Sequence, residues 1–202
     1  MALRRFALTA LATLLAALAL PARSDEKARA YFTDTVLVDQ DGRSVRFYSD
    51  VLDGNVVLLS FVFTRCTDAC PLITRKMNAT RRALGDRYGR DVRFVSISVD
   101  PEFDTPLELR RFIEKQQAGF TGWSWLTGKK ADVDRVLAKL GEAVTDPGDH
   151  STGFLAGNVR TGHWTKIRPD ATPAVVAEQL QRLADEAAKN ESETAPQPQA
   201  VR

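Results

Sequence analysis

Residues 56–63 read Val-Val-Leu-Leu-Ser-Phe-Val-Phe, apolar except for one small hydroxyl. Such a run leaves no polar face for water. Its β-branched and aromatic residues favour an extended chain, and a strand apolar on both faces belongs in the middle of a sheet covered on both sides. Asp53-Gly54-Asn55 ahead of it is a turn, and Thr64-Arg65-Cys66-Thr67-Asp68-Ala69-Cys70-Pro71 follows it. Proline is tolerated in the first turn of a helix, where its missing N–H is no loss. The chain therefore passes from a buried strand, through a short loop holding both of its cysteines, into a helix.

The rest of the chain alternates in the same sense. Residues 35–39 and 44–47 alternate apolar and polar around Asp41-Gly42, a hairpin signature. After the cysteines, Ile73, Met77, Thr80 and Leu84 share one helical face, with Gly85 as a stop. Residues 91–99 form a second strand, Thr105 caps a helix buried through Leu109, Phe112 and Ile113, and residues 123–126 form a short strand. Val133, Val136, Leu137 and Leu140 have helical spacing. Residues 152–158 and 163–167 flank Thr161-Gly162 as a hairpin, and Pro173 opens a helix with Val176, Leu180 and Leu183 inward. Strands alternating with helices give an α/β fold, a thioredoxin-like sandwich. Its central mixed sheet is flanked by helices, with added N-terminal and internal β-hairpins. The cysteines lie at the carboxyl end of a central strand, where open α/β sheets place their sites.

The two ends are different. Arg4-Arg5 followed by the uncharged, mostly apolar residues 6–20 has the build of a secretory signal, short for a spanning helix. Residues 1–22 are thus a signal peptide or, left uncleaved, an anchor; residues 23–189 are the folded domain, and the polar, proline-containing residues 190–202 a disordered tail. Either way the domain lies outside the cytoplasm, periplasmic or tethered to the inner membrane. Without Arg4 and Arg5 the 28 basic residues fall to 26, matching the 26 acidic ones. A neutral, unclustered charge distribution gives no footprint for nucleic acid or a polybasic membrane surface.

Outside the cytoplasm a cysteine pair is usually a structural disulfide. A Cys-x-x-x-Cys bridge, however, closes so short a loop that it stabilises by only about 2 kcal/mol in the chain-entropy model. A closely spaced pair at a strand-to-helix turn is better suited to metal or redox chemistry. Thiolates favour Cu(I), Zn(II) or iron–sulfur clusters. The helix N-terminus and Arg65 favour the thiolate form. If the helix has begun by Cys66, the two cysteines are i and i+4 on one side; if Cys66 is still in the loop, the sulfurs converge without helical restraint. His150, one of two histidines, lies in the turn-rich Asp146-Pro147-Gly148-Asp149-His150-Ser151 and is a third donor. Asp149 either orients its ring or simply shapes the turn. His163 reads as structural or solvated, Asp100 and Asp104 as a strand-end turn and helix cap, and Trp123, Trp125 and Trp164 as core or rim aromatics. Two sulfurs and one nitrogen fall one ligand short of structural zinc and suit Cu(I), with an open side for a partner's ligand.

Three ordered blocks resemble the Sco/SenC family: Cys66-Thr67-Asp68-Ala69-Cys70-Pro71, then Val95-Ser96-Ile97-Ser98-Val99-Asp100-Pro101-Glu102-Phe103-Asp104-Thr105-Pro106, then Asp149-His150-Ser151. The resemblance covers about residues 31–185. It implies an exported or membrane-tethered, thioredoxin-like copper chaperone for the Cu(A) centre of cytochrome c oxidase. Its copper ion is Cu(I) or Cu(II), held by Cys66, Cys70 and His150, and its partners are the oxidase subunit carrying Cu(A) and other periplasmic copper carriers. Arg65 stands where His is common, Thr67 where Pro is frequent, and Thr161-Gly162 where the hairpin is usually Asp-Gly. The same cysteines would serve a thiol–disulfide oxidoreductase, although those enzymes use Cys-x-x-Cys, or a redox or copper sensor.

Overall fold

The structure, a computed structural model, describes residues 22–194. In chain order its elements are α1 (Ala22–Phe32), β1 (Val36–Asp39), β2 (Ser44–Arg46), a π-helical turn (Phe47–Leu52), β3 (Val56–Val62), α2 (Ala69–Leu84), β4 (Val92–Ser98), α3 (Pro106–Gln116), β5 (Trp123–Thr127), α4 (Lys130–Leu140), β6 (Phe154–Asn158), β7 (His163–Ile167) and α5 (Pro173–Thr194). The strands form one mixed sheet in the order β2-β1-β5-β4-β3-β6-β7. β3, β4 and β5 run parallel, and the two hairpins join antiparallel on either side.

β3 lies between β4 and β6, and every one of its residues is buried. Val56, Leu58 and Val62 enter the core under α2, α3 and α5, with Met77, Leu109, Trp125 and Leu180. Val57, Leu59 and Phe61 enter the opposite core under α4 and the π-helical turn, with Phe47, Val133 and Leu137. The one hydroxyl of the run is not orphaned. Ser60 Oγ lies 2.8 Å from Ser96 Oγ, which accepts the Trp123 indole N–H at 2.9 Å. Three buried polar groups on adjacent strands thereby satisfy one another and pin the register. Trp123 and Trp125 stack at 5.0 Å in this core.

Three segments differ from the sequence reading. Ahead of the first hairpin, where the sequence reading places no element, α1 forms: Ala28 and Phe32 pack on the second core and the Tyr31 hydroxyl donates to the Lys139 carbonyl. The hairpin strand was expected to run through Phe47, but the chain turns there: Phe47, Tyr48, Val51 and Leu52 are all buried on the π-helical turn. α5 continues to Thr194, past residue 190, where the tail was placed. Residues 1–21 and 195–202, which hold most of the signal segment and the rest of the tail, lie outside the described residues. No described helix is long and apolar enough to cross a membrane.

Candidate metal centre

β3 ends at Val62 and α2 begins at Ala69, so Cys66 lies in the loop and Cys70 on the first turn of the helix. The first N–H groups of a helix have no partner within it. Asp68, at the capping position, makes no side-chain bond to them; the Cys66 sulfur does, accepting the Cys70 amide at 3.2 Å. Pro71 follows without an N–H to satisfy. The cysteine spacing thus serves local structure as well as chemistry, with one sulfur acting as the helix cap. Both cysteines are free thiols; Cys66 is partly exposed and Cys70 is fully buried.

His150 follows a short 3₁₀ turn, Pro147–Asp149, whose preceding Asp146 carboxylate accepts the Gly148 amide. The imidazole is buried and packs edge-on to Phe63, centroids 5.6 Å apart. Its Nδ1 lies 2.9 Å from the Ser151 carbonyl. A carbonyl only accepts, so Nδ1 carries the proton and Nε2 presents its lone pair. Nε2 lies 3.6 Å from Cys70 Sγ. Residues 80 apart in sequence are brought together because β6, which His150 precedes, pairs with β3, which precedes the cysteines. The ring is oriented by Ser151, so Asp149 is left as a turn residue. His163 lies elsewhere, with its Nδ1 2.8 Å from a Glu186 carboxylate oxygen.

Asp104 carries a role that its reading as a strand-end turn or cap missed. Thr105, not Asp104, caps α3, accepting the Glu108 amide. Asp104 is fully buried and accepts from the Thr64 amide at 3.1 Å, the Thr64 hydroxyl at 2.6 Å and the Ser98 hydroxyl at 2.6 Å. It ties the start of the cysteine loop to the end of β4. Burial raises its carboxyl above the ordinary value in spite of those bonds. Beside it Arg65 donates to Asp100 at 2.6 Å and lies over the Phe103 ring at 4.4 Å, a second clasp on the loop. The second motif block of the sequence therefore positions the first; an acidic residue just past a strand that itself ends beside the cysteines was the available signal.

The two thiols are electrostatically unlike. Partial burial works against ionisation of Cys66, but the Cys70 amide and thiol, with the Asp68 and Ala69 amides, outweigh it and hold Cys66 below the ordinary thiol value. Cys70 is pushed up to about 12, first by burial and then by the Cys66 sulfur and Asp104. Cys70 and His150 already form a sulfur–nitrogen pair, with Cys66 on the adjacent loop. Among the described residues no three of His, Cys, Asp and Glu stand close enough to surround one ion as they are. Two thiols and an imidazole are the soft donors at this end of the sheet, of a kind that suits a soft metal ion.

A parallel core sheet with a cysteine pair at the carboxyl end of a central strand, leading into a helix, makes this a thioredoxin-like domain with an imidazole added beside the thiols. More narrowly, residues 23–185 match the SCO1/SenC family model, and the chain belongs to that family. The structure is similar to that of Bradyrhizobium japonicum ScoI with copper bound (28% identity, 73% of this chain and 96% of that one, TM-score 0.60). It is also similar to a SCO1/SenC family lipoprotein from Bacillus anthracis (29%, 74% and 92%, 0.62). A third is BsSco, described as a member of the Sco family of cytochrome c oxidase assembly proteins and the subject of a disulfide switch (28%, 74% and 91%, 0.62). Curated SCO1- and SCO2-like relatives reach 36% identity over 107 residues, and the chain spans about half their length.

Proposed function

We propose that the protein is an extracytoplasmic, membrane-tethered copper metallochaperone that delivers Cu(I) to the Cu(A) centre of cytochrome c oxidase, with Cys66, Cys70 and His150 as its ligands. The observation that carries this reading is the His150 ring, proton-bearing Nδ1 tied to a carbonyl and bare Nε2 aimed at the Cys70 sulfur. A dithiol enzyme has no need of that lone pair. Three soft donors leave a side open to attack by an acceptor's cysteine or histidine. Delivery is then ligand exchange, with Cys66, the exposed donor, leaving first. Copper-bound and oxidase-assembly relatives support the cargo and destination; the lipoprotein relative and the apolar residues 6–20 support the tether.

The thiol inequality favours a second reading, a thiol–disulfide reductase. Cys66 would attack an acceptor disulfide, displacing one thiolate; Cys70 would then resolve the mixed disulfide, releasing the second and leaving a Cys66–Cys70 bond. Anaerobic Cu(I) titration of the reduced protein, read by X-ray absorption, separates the two. One copper with two sulfur neighbours and one nitrogen is expected, losing the nitrogen in His150→Ala. Two sulfurs and no nitrogen in the unsubstituted protein, together with strong disulfide reductase activity, would establish the enzyme in place of the chaperone.

A further inference from the structure

A groove of about 530 Å³ lies away from the thiols. It lies among α1, the end of α4 and the β6–β7 hairpin. Leu140, Leu155 and Trp164 line its walls, and Lys27, Tyr31 and Lys139 its mouth. We propose that this face docks on an anionic lipid bilayer, with a segment of an acyl chain seated in the groove.

Two observations carry this. The first is the chemistry of the mouth. Tyr31 is 52% exposed, its hydroxyl donates to the Lys139 carbonyl, and the Lys139 ammonium lies 4.9 Å from its ring centroid. An apolar cleft edged by Tyr, Trp and lysines matches the membrane–water boundary. Aromatic rings sit there with their polar edges in the headgroups, and lysine stems cover apolar surface while their ammonium groups meet anionic lipid. The second is where the chain enters the structure. The apolar residues 6–20 end just before α1 begins at Ala22, and Lys27 and Tyr31 follow on that helix. At 1.5 Å per residue they lie about 8 and 14 Å along it; with a headgroup layer about 5–8 Å deep on each side, both meet it when residues 6–20 are in hydrocarbon and α1 lies along the surface. This step rests on the tethered form of the proposed function.

The hairpin tip lies at the end of the sheet where β3 starts, since Val56 pairs with Asn158. The cysteine loop lies at the other end, about 20 Å away at the rise of an extended strand. The hairpin tip and the thiols are therefore at opposite ends of β3.

The test is tryptophan quenching in the full chain reconstituted into phosphatidylglycerol-containing vesicles with brominated acyl chains, with flotation measured in parallel. Trp123 and Trp125 are 3% and 1% exposed in the core on the other face of the sheet, so quenching reports Trp164. We expect quenching that disappears in Trp164→Phe. We also expect Lys27→Glu and Lys139→Glu each to weaken the docked state by about fivefold or more, from the attraction of one basic residue near an anionic surface. A chain that floats with the vesicles yet is unquenched overturns docking and leaves the tether intact. A chain that does not float overturns both. Quenching that is equal on neutral phosphatidylcholine and indifferent to the lysine substitutions overturns the anionic-lipid assignment. Protection of Trp164 by concentration-dependent dimerisation overturns it in favour of a second copy.

Discussion

Asp104→Ala and Asp104→Asn should differ sharply, and the difference can be worked from three bonds. The carboxylate is fully buried and accepts from the Thr64 amide, the Thr64 hydroxyl and the Ser98 hydroxyl. Hydroxyls can turn to another acceptor, but the Thr64 amide cannot. Alanine leaves that part-buried N–H unpaired, at about 1–3 kcal/mol, and opens a small void worth about 1 kcal/mol more. The sum, about 2–4 kcal/mol, should lower Tm by roughly 5–15 °C in a domain of this size. Asparagine keeps Oδ1 for Thr64 and offers Nδ2–H to the Ser98 oxygen, and it removes a charge that burial disfavours. Its cost should stay within about 1 kcal/mol. The pH dependence has a definite sign. The folded carboxyl lies above its ordinary value of 3.8, so between 3.8 and the folded value the native state binds more protons than the unfolded state. Stability of the unsubstituted protein from this group therefore falls as pH rises through that window, and Asp104→Asn lacks the slope. Thermal unfolding of the reduced protein, followed by circular dichroism across that range, measures all three quantities. Equal losses in Ala and Asn, or a slope of opposite sign, would refute the account of Asp104 as a buried tie. If the proposed Cu(I) site is held by this loop, Asp104→Ala, which frees the start of the loop at Thr64, should weaken Cu(I) binding more than Asp104→Asn.

Other consequences can be checked directly. Cys66 should react with iodoacetamide more than about a hundredfold faster than Cys70 near neutral pH, since it is the more exposed and the more readily ionised thiol; peptide mapping that finds equal rates rejects that inequality. Because the Cys66 sulfur caps α2, Cys66→Ser should unfold within about 0.5 kcal/mol of the unsubstituted protein, whereas Cys66→Ala should lose about 1 kcal/mol; identical urea midpoints for the two would remove the cap. Gly157 lies in β6 directly against Trp164, where an added Cβ would fall inside the indole ring. Gly157→Ala should cost about 1–3 kcal/mol and red-shift Trp164 emission as the ring is displaced; an unchanged spectrum would contradict this packing.

The elements that stand on periodicity were legible in the sequence: the apolar run of β3, the helical stripes of α2 to α4, and both hairpins. So were the two site segments, because cysteine pairs and rare histidines in turns carry a chemical signal by type alone. What was hidden depended on contacts distant in sequence. α1 has an apolar repeat only in Ala28 and Phe32, so it reads as polar until the core that receives Phe32 exists. Asp104 looks like any acidic residue near a helix start; its burial under Thr64, 40 residues upstream, is a fact of the β3–β4 pairing. Asp149 is the nearest carboxylate to His150 in sequence, yet a backbone carbonyl is what orients the ring. The helical or looped placement of Cys66 was open in the sequence because Pro71 only marks a first turn without fixing where it starts.

The pairing of β6 with β3 has a consequence in time as well as in space. The cysteine loop is assembled by β3, β4 and the turn into α2, all within the first half of the chain, but His150 arrives only when the segment 80 residues further on adds its strand to the far side of β3. Such non-local pairing is slow compared with helix and turn formation. A chain still emerging or partly folded therefore presents a bare dithiol, whereas the finished domain presents a dithiol with an imidazole. The third donor is in effect a mark of completed folding, and the proposed three-ligand copper site would form only in the finished domain.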